Sequence, residues 1–548
     1  MASVFLREQL DQAAAQHPDR VYAVFEDGEQ ITFEQLRSRV VALASSLQAL
    51  GVTKGQVVLC MMPNSLRLLE AWYALNYLGA VFAPLNTAYK GRMLENAIAL
   101  LEPELAFVSG TLIEQFNAAT MPRTVIVDGN IGTFATSTAN RVMKWDELRP
   151  ADPVSPVALS PGDTQMIIFT SGTTGASKGV MVSYAQHHAF TTTFGHLAED
   201  DRFLANLPLY HIAGTMPCQT MLWRGGSIAM PGSFSSQKFW QYVRDSGTTF
   251  AVLLGAMASF LARTPSAGNA SGTKLKRVSV LPFGQEALEF QDRFRLPIMT
   301  QYSMSELSCP LVSADNPTSI GICGTVRPGY ELRLVDDQDN DVPGGEAGEL
   351  LVRAADPLVL TTGYYRNPAA TAEAMRNGWF HTGDVFRRNE RGEYFFVDRK
   401  KDVIRRRGEN ISSVELEAEV CAHPGVLEGV AVPVPSEHGE DDVLIVFSPR
   451  AGVQVKESEL IDFLTARVPR YMIPRFVRIS SGLPKTLTHK IRKALLRDEG
   501  VTAETWDAST SAYAIVPTVS SRADDAVNPS GVTDRVCVAC DAGPKGRS

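Results

Sequence analysis

Thr170-Ser171-Gly172-Thr173-Thr174-Gly175-Ala176-Ser177-Lys178-Gly179 is a stretch of hydroxyls, glycines and a lysine set between two apolar runs, Met166-Ile167-Ile168-Phe169 and Val180-Met181-Val182-Ser183. Such a stretch is a poor core segment. It can cradle a polyphosphate, because glycines let backbone N–H groups close on an anion and hydroxyls add donors. Lys178 adds a mobile positive charge. A Walker A loop would need Gly-Lys followed by Ser or Thr opening a helix; here Ser177 precedes Lys178 and Gly179 follows it. A flexible surface turn is the plain alternative. The order strand, loop, lysine, strand speaks against it.

Further candidates stand far apart in the chain. In Gln301-Tyr302-Ser303-Met304-Ser305-Glu306 a tyrosine can stack on a base, a hydroxyl can bond a phosphate and a carboxylate can hold Mg²⁺ between phosphates. As bare spacing, Glu306 reads equally as a charge at a helix N-terminus. Asp384, in Trp379-Phe380-His381-Thr382-Gly383-Asp384, can accept from both hydroxyls of a ribose, or simply end a Gly-Asp turn. Lys490, in Leu483-Pro484-Lys485-Thr486-Leu487-Thr488-His489-Lys490-Ile491, offers a point charge on a loop, with Lys485 as a competitor. His211 closes Leu207-Pro208-Leu209-Tyr210-His211, and a histidine after an apolar run is more often structural than chemical. Gly284-Gln285-Glu286-Ala287 follows a strand-like run and reads as a turn or a ligand loop. Cys537-Val538-Ala539-Cys540 has the gap of half a zinc site or a redox pair, without a second pair or a nearby histidine.

These groups need a scaffold, and periodicity supplies an α/β one. Thr32 precedes a helix carrying Phe33, Leu36, Val40, Leu43, Leu47 and Leu50, ended by Gly51. A strand over 56–62, a helix over 65–78 and a strand over 81–85 follow, a β-α-β pattern that predicts mainly parallel sheets with helices on their faces. From Gly321 the texture becomes β-rich, with strands at 330–335, 348–353 and 394–397, giving a subdomain over about 321–397. The charged break Asp398-Arg399-Lys400-Lys401-Asp402 then separates a large domain, 1–398, from a small α+β domain, 403–500, with a connector at 399–402. Beyond 500 apolar periodicity fades, and 501–548 reads as a disordered tail.

A chain of 548 residues exceeds what one core serves, so several domains are expected. The net charge of −8 disfavours a general polyanion surface and excludes nucleic acid as an expected partner. The N-terminus lacks an apolar signal core, and the longest apolar run, around 250–262, is too short to span a bilayer. Seven scattered cysteines do not form a disulfide framework, and a cytoplasmic setting is the default.

The phosphate string closely resembles that of the ANL family of adenylate-forming enzymes: acyl-CoA synthetases, nonribosomal adenylation domains and luciferases. The likeness runs from about residue 10 to 495 with its motifs in family order. Ser177 stands where the family usually has proline, Ser303 and Ser305 where it has glycine and threonine, and His489 where many members have glycine. The resemblance implies that Thr170, Ser171, Gly172, Thr173, Thr174, Gly175 and Lys178 hold ATP phosphates. It makes Tyr302 the adenine partner, Ser305 a phosphate contact, Glu306 the Mg²⁺ ligand, and Asp384 and Arg399 the ribose contacts. Gly284 and Gln285 match the adenine loop only loosely. His211 and Ser303 would line the acyl pocket, and a small Ser303 leaves room that tryptophan removes in acetate-specific relatives. No aspartate lies in Leu209 to Gly214, which argues against an α-amino acid. Gly408, Glu409 and Asn410 would line the coenzyme A tunnel, with Arg405-Arg406-Arg407 beside a CoA phosphate or simply solvated. Lys490 would be the adenylating lysine and Lys401 the hinge of a mobile small domain. The implied activity joins a non-amino carboxylic acid to coenzyme A through acyl-AMP, with ATP, Mg²⁺ and CoA. The alternatives are loading of a carrier-protein thiol, a luciferase-like oxidase and a silent nucleotide-binding protein. A homodimer stays open.

Overall fold

Thr32 starts the first long helix for a local reason. Its hydroxyl accepts from the Gln35 amide while the Gln35 side chain accepts from the Thr32 amide, closing the capping box of helix Phe33–Ala49. Helix Leu66–Tyr77 is capped by the Ser65 hydroxyl alone, which accepts from the Leu68 amide. Their apolar faces bury Phe33, Leu36, Val40, Leu43, Leu47, Leu69 and Trp72 in the largest core. Trp72 stacks on Phe82 of strand Val81–Pro84 at 5.5 Å.

The computed structural model describes residues 3–510 apart from 118–119, 132–140, 152, 156, 171–177, 264–268, 401, 407–408, 437–440, 469 and 486–489. Ser171 to Gly175, the hinge expectation at Lys401, Gly408, and Cys537 and Cys540 therefore lie outside the described residues. Of Arg405, Glu409 and Asn410 the backbone alone is described.

Two sheets carry the parallel pattern. An eight-stranded sheet runs, in spatial order, Gly363–Tyr364, Lys178–Ser183, Thr164–Thr170, Val81–Pro84, Val57–Met61, Leu105–Ser109, Thr124–Asp128 and Arg141–Lys144. Its central strands are parallel and near-continuously apolar, as strands covered on both faces must be. The phosphate-string end is different, for Thr164–Thr170 and Lys178–Ser183 form an antiparallel hairpin, and Gly363–Tyr364 pairs antiparallel onto its outer edge. A seven-stranded sheet of Ile298–Met299, Arg277–Leu281, Phe250–Leu254, Arg202–Leu204, Ser227–Met230, Val21–Phe25 and Gln30–Thr32 is parallel except for its last strand.

The β-rich expectation corresponds to an antiparallel seven-stranded sheet spanning Gln301 to Arg399, which reaches upstream of the change in texture at Gly321. The chain passes from Ile298–Met299 in the parallel sheet to Gln301–Met304 in the antiparallel one across Thr300 alone, with no Gly or Pro to mark the change.

The C-terminal sheet orders Val426–Pro435, Asp441–Pro449, Phe476–Ile479 and Trp506–Asp507. The last strand corrects the expectation that disorder begins at Val501. Val477 pairs with Trp506, the Ala508 amide donates to the Arg475 carbonyl at 2.8 Å, and Arg475 pairs with Asp507 at 3.3 Å. A two-residue edge strand among Thr, Glu, Asp and Ser leaves no periodic trace. A chain ended at Gly500 should therefore be about 2 kcal/mol less stable in its small domain than one ended at Thr510. Denaturant midpoints compare the two, and coincident midpoints would show that the strand adds nothing. Among the described residues no helix is long and apolar enough to cross a membrane.

Candidate active site

The phosphate-string hairpin is built around a close approach. A Cβ on Gly179 would fall 2.8 Å from the Ile167 side chain, so glycine lets the two strands meet at Phe169↔Gly179 and Thr170↔Lys178. The Thr170 hydroxyl faces the Lys178 carbonyl at 3.4 Å. Lys178 is exposed, and its Nζ lies 4.6 Å above the ring of Tyr364. The Tyr364 hydroxyl donates to Glu306 Oε1 at 3.0 Å. Glu306 is only 5% exposed, and burial raises its pKa against the opposing pulls of its own amide, Tyr364, Arg399 and Lys178. Next to it, the Ser305 carbonyl accepts from Gln186 on helix Tyr184–Thr191 at 2.7 Å.

A second group forms on the antiparallel sheet. Asp384 and Arg399 are register partners, and Arg399 Nε lies 2.8 Å from Asp384 Oδ1. The Tyr302 hydroxyl donates to Asp384 Oδ2 at 2.7 Å, and the Thr382 hydroxyl accepts from the Asp384 amide at 3.0 Å. Asp384 is 1% exposed; burial raises its pKa, while the Arg399 charge and the Tyr302 donor lower it. The Tyr302 ring meets Phe386 edge to face at 4.8 Å.

The Lys490 charge connects both Asp384 and His211 to these groups. Burial of the Lys490 ammonium, then the Arg399 charge, lower its pKa, while Asp384 pulls the other way; the residue as a whole keeps open surface. His211 sits just before helix Ile212–Arg224. Gly214 in that first turn is needed because a Cβ would overlap the Pro208 carbonyl. Burial, then the Lys490 charge, bring the His211 pKa down to about 4, so the ring is neutral at neutral pH, and its Nε2 lacks a hydrogen-bond partner among the described residues. Lys178, His211, Glu306, Asp384, Arg399 and Lys490, scattered through the chain, thus come near enough in pairs for the charge of one to act on the next, and together they mark the candidate cleft. Ser303, beside Tyr302, is half-buried.

Other expectations are not gathered there. Gly284 precedes helix Gln285–Phe294, and the Glu286 carboxylate folds over it, 2.5 Å from where a Cβ would stand. No hydrogen bond or ion pair among the described residues ties Gly284 or Gln285 to the cleft. Glu409–Ile411 pairs with Ile404–Arg406 in a small hairpin. Within it Arg406 is neither solvated nor offered to a CoA phosphate. It is buried, 3.0 Å from Asp442, and donates to the Tyr471 carbonyl at 3.2 Å. Tyr364 and Gln186 were missed altogether, since each reaches the cleft by a long-range contact with no local signal.

Residues 10–365 match the AMP-binding enzyme family. The chain belongs to the AMP-binding enzyme family. Residues 415–490 match the AMP-binding enzyme C-terminal domain, in keeping with the expected resemblance. A crotonobetaine/carnitine–CoA ligase of Salmonella enteritidis is 28% identical over 518 residues, which cover 90% of this chain and 98% of that protein. Among solved structures, ATP-bound MatB from Rhodopseudomonas palustris superposes with a TM-score of 0.79 at 23% identity, covering 91% of this chain and 99% of MatB. A benzoate–CoA ligase from Burkholderia xenovorans LB400 gives 0.78 at 19% identity, covering 90% and 99%. These likenesses bear out the α/β architecture with a small C-terminal domain.

Proposed function

We propose that this AMP-binding enzyme is an acid–CoA ligase that joins a non-amino carboxylic acid to coenzyme A. Acid and ATP give acyl-AMP and pyrophosphate; acyl-AMP and CoA then give acyl-CoA and AMP. The observation that carries the reading is the cluster of Tyr302, Asp384 and Arg399, with Arg399 Nε 2.8 Å and the Tyr302 hydroxyl 2.7 Å from the buried Asp384 carboxylate, on which the Lys490 charge also acts. Relatives named as CoA ligases for crotonobetaine or carnitine and for benzoate support the choice of thiol and of acid class.

In the first step the acid oxygen attacks the α-phosphorus and the bond to pyrophosphate breaks. A carboxylate is ionised at neutral pH, so this step needs no base. A neutral His211 can flank the acid without adding charge. Asp384, held by Arg399 and Tyr302, would accept from the ribose hydroxyls. Lys178 and the Thr170 hydroxyl would meet the leaving phosphates, and Lys490 the charge that grows at the α-phosphate. In the second step the CoA sulfur attacks the acyl carbon, the bond to AMP breaks, and the thiol proton leaves to solvent. Both steps rest on positioning and charge, without a covalent enzyme intermediate.

The donor set fits Mg²⁺. Glu306 is a buried carboxylate next to Ser305 in the chain, and Mg²⁺ favours one or two carboxylates with substrate phosphates and water. Among the described residues no group of three or more His, Cys, Asp or Glu gathers, so a metal here would arrive with the triphosphate and spread the charge of its phosphates. Cys60, Cys218, Cys309 and Cys323 are buried free thiols, which fits a reducing cytoplasm, a placement that cell fractionation checks.

The test is acid-dependent release of pyrophosphate and AMP across a panel of acids, with and without CoA. Release of AMP that a carrier-protein thiol supports and CoA does not would overturn the choice of thiol. In the acyl pocket, Ser303→Trp should shift preference toward acetate by about tenfold, since an indole would fill space that one to three methylenes of the acid would occupy. The ratio of rates on acetate and on the best longer acid measures this, and an unchanged ratio would remove Ser303 from the pocket.

A further inference from the structure

Lys178 and Glu306 reach the same cleft with opposite charges. An ammonium and a carboxylate so placed would be expected to pair, and the pair would have to part when a triphosphate arrived. Among the described residues no ion pair joins them. Tyr364 stands between instead, its ring beneath Lys178 Nζ at 4.6 Å and its hydroxyl on Glu306 Oε1 at 3.0 Å. Tyr364 as a residue is 8% exposed, so its ring has little freedom to swing away.

The short segment that carries Tyr364 is fastened to both partners. The Thr361 amide donates to the Glu306 carbonyl at 2.7 Å, and the Thr361 hydroxyl to the Met181 carbonyl at 2.8 Å. The Tyr365 amide donates to the Gly179 carbonyl at 2.8 Å. Gly363 has φ +129° and lies where a Cβ would meet Thr371 at 2.7 Å, so the bend into the strand needs glycine. The Tyr364 amide donates to the Thr371 hydroxyl at 2.9 Å. The strand Gly363–Tyr364 thus fixes the phosphate hairpin relative to the turn that carries Glu306, just after strand Gln301–Met304.

From this geometry we infer that Tyr364 is a positioning residue, which holds Lys178 and Glu306 apart and aims both at the triphosphate. Its two contacts are chemically separate: the ring acts on the lysine and the hydroxyl on the carboxylate. The inference rests on the proposed ATP site, but not on which acid or thiol is used.

Tyr364→Phe keeps the ring and removes the donor; Tyr364→Leu removes both. The readout is equilibrium binding of a non-hydrolysable ATP analogue, by calorimetry, with and without Mg²⁺. In Tyr364→Phe the tightening of binding by Mg²⁺ should shrink by about tenfold, as loss of a hydrogen bond to a charged group would produce, while metal-free binding stays within about twofold. Tyr364→Leu should weaken metal-free binding as well. Thioester formation from supplied acyl-AMP, which has no leaving pyrophosphate, should follow neither change in Tyr364→Phe. Full Mg²⁺ tightening in Tyr364→Phe would overturn the inference. So would a parallel loss of metal-free binding, Mg²⁺ tightening and thermal stability, or a wild-type chain that does not bind the analogue. Failure of the ligase reading is distinct: the wild type would bind the analogue yet release no pyrophosphate with any acid.

Discussion

Lys490→Ala should slow acyl-AMP formation by about two to three orders of magnitude, as loss of one preorganised charge-stabilising donor does. Burial and the Arg399 charge lower the Lys490 pKa while Asp384 opposes them, and bound substrates would shield the open part of its side chain from water. A charge in such surroundings is worth most where negative charge grows, at the α-phosphate of the first step. The second step begins from acyl-AMP and releases AMP, so it should depend on Lys490 far less. Acid-dependent pyrophosphate release measures the first half-reaction, and AMP release from supplied acyl-AMP and CoA measures the second. Equal loss in both would mean damage to folding or a different role for the lysine.

Asp384→Asn should raise the KM for ATP and lower kcat/KM by about a hundredfold, which corresponds to about 2.7 kcal/mol. Two charge-assisted hydrogen bonds to a ribose are at stake, each worth roughly 1.5–3 kcal/mol. The carboxylate is also the counter-charge of Arg399 at 2.8 Å, and that charge would be left without its partner. Unlike Lys490, Asp384 should matter in both half-reactions, because acyl-AMP carries the same ribose. The amide keeps the volume of the carboxylate, so thermal stability should fall far less than affinity. Wild-type KM values for both ATP and acyl-AMP in Asp384→Asn would remove it from the nucleotide site.

Elements whose causes are local were legible along the chain. The helix start after Thr32, the leucine stripe behind it and the apolar runs of the parallel strands rest on neighbours within one or two turns or on a period of two. Thr170, Lys178, Glu306, Asp384 and Lys490 stood out as candidates by residue type, while the family resemblance, not their spacing, implied which part of ATP each would meet. The tertiary contacts were not legible. Whether Arg406 met solvent, CoA or Asp442 depended on a strand that starts at Asp441, and burial answered it. The Trp506–Asp507 strand exists because the edge at Phe476–Ile479 was open to it, not because its own residues favour a strand. Tyr364 reaches Glu306 only because Gly363–Tyr364 adds to a hairpin far upstream, whose register then brings the ring under Lys178. Pairings of that kind are chosen by the edges and surfaces the rest of the fold leaves free. A side chain's type carries its chemistry from the start, whereas its partners come from a packing that no short window of residues contains.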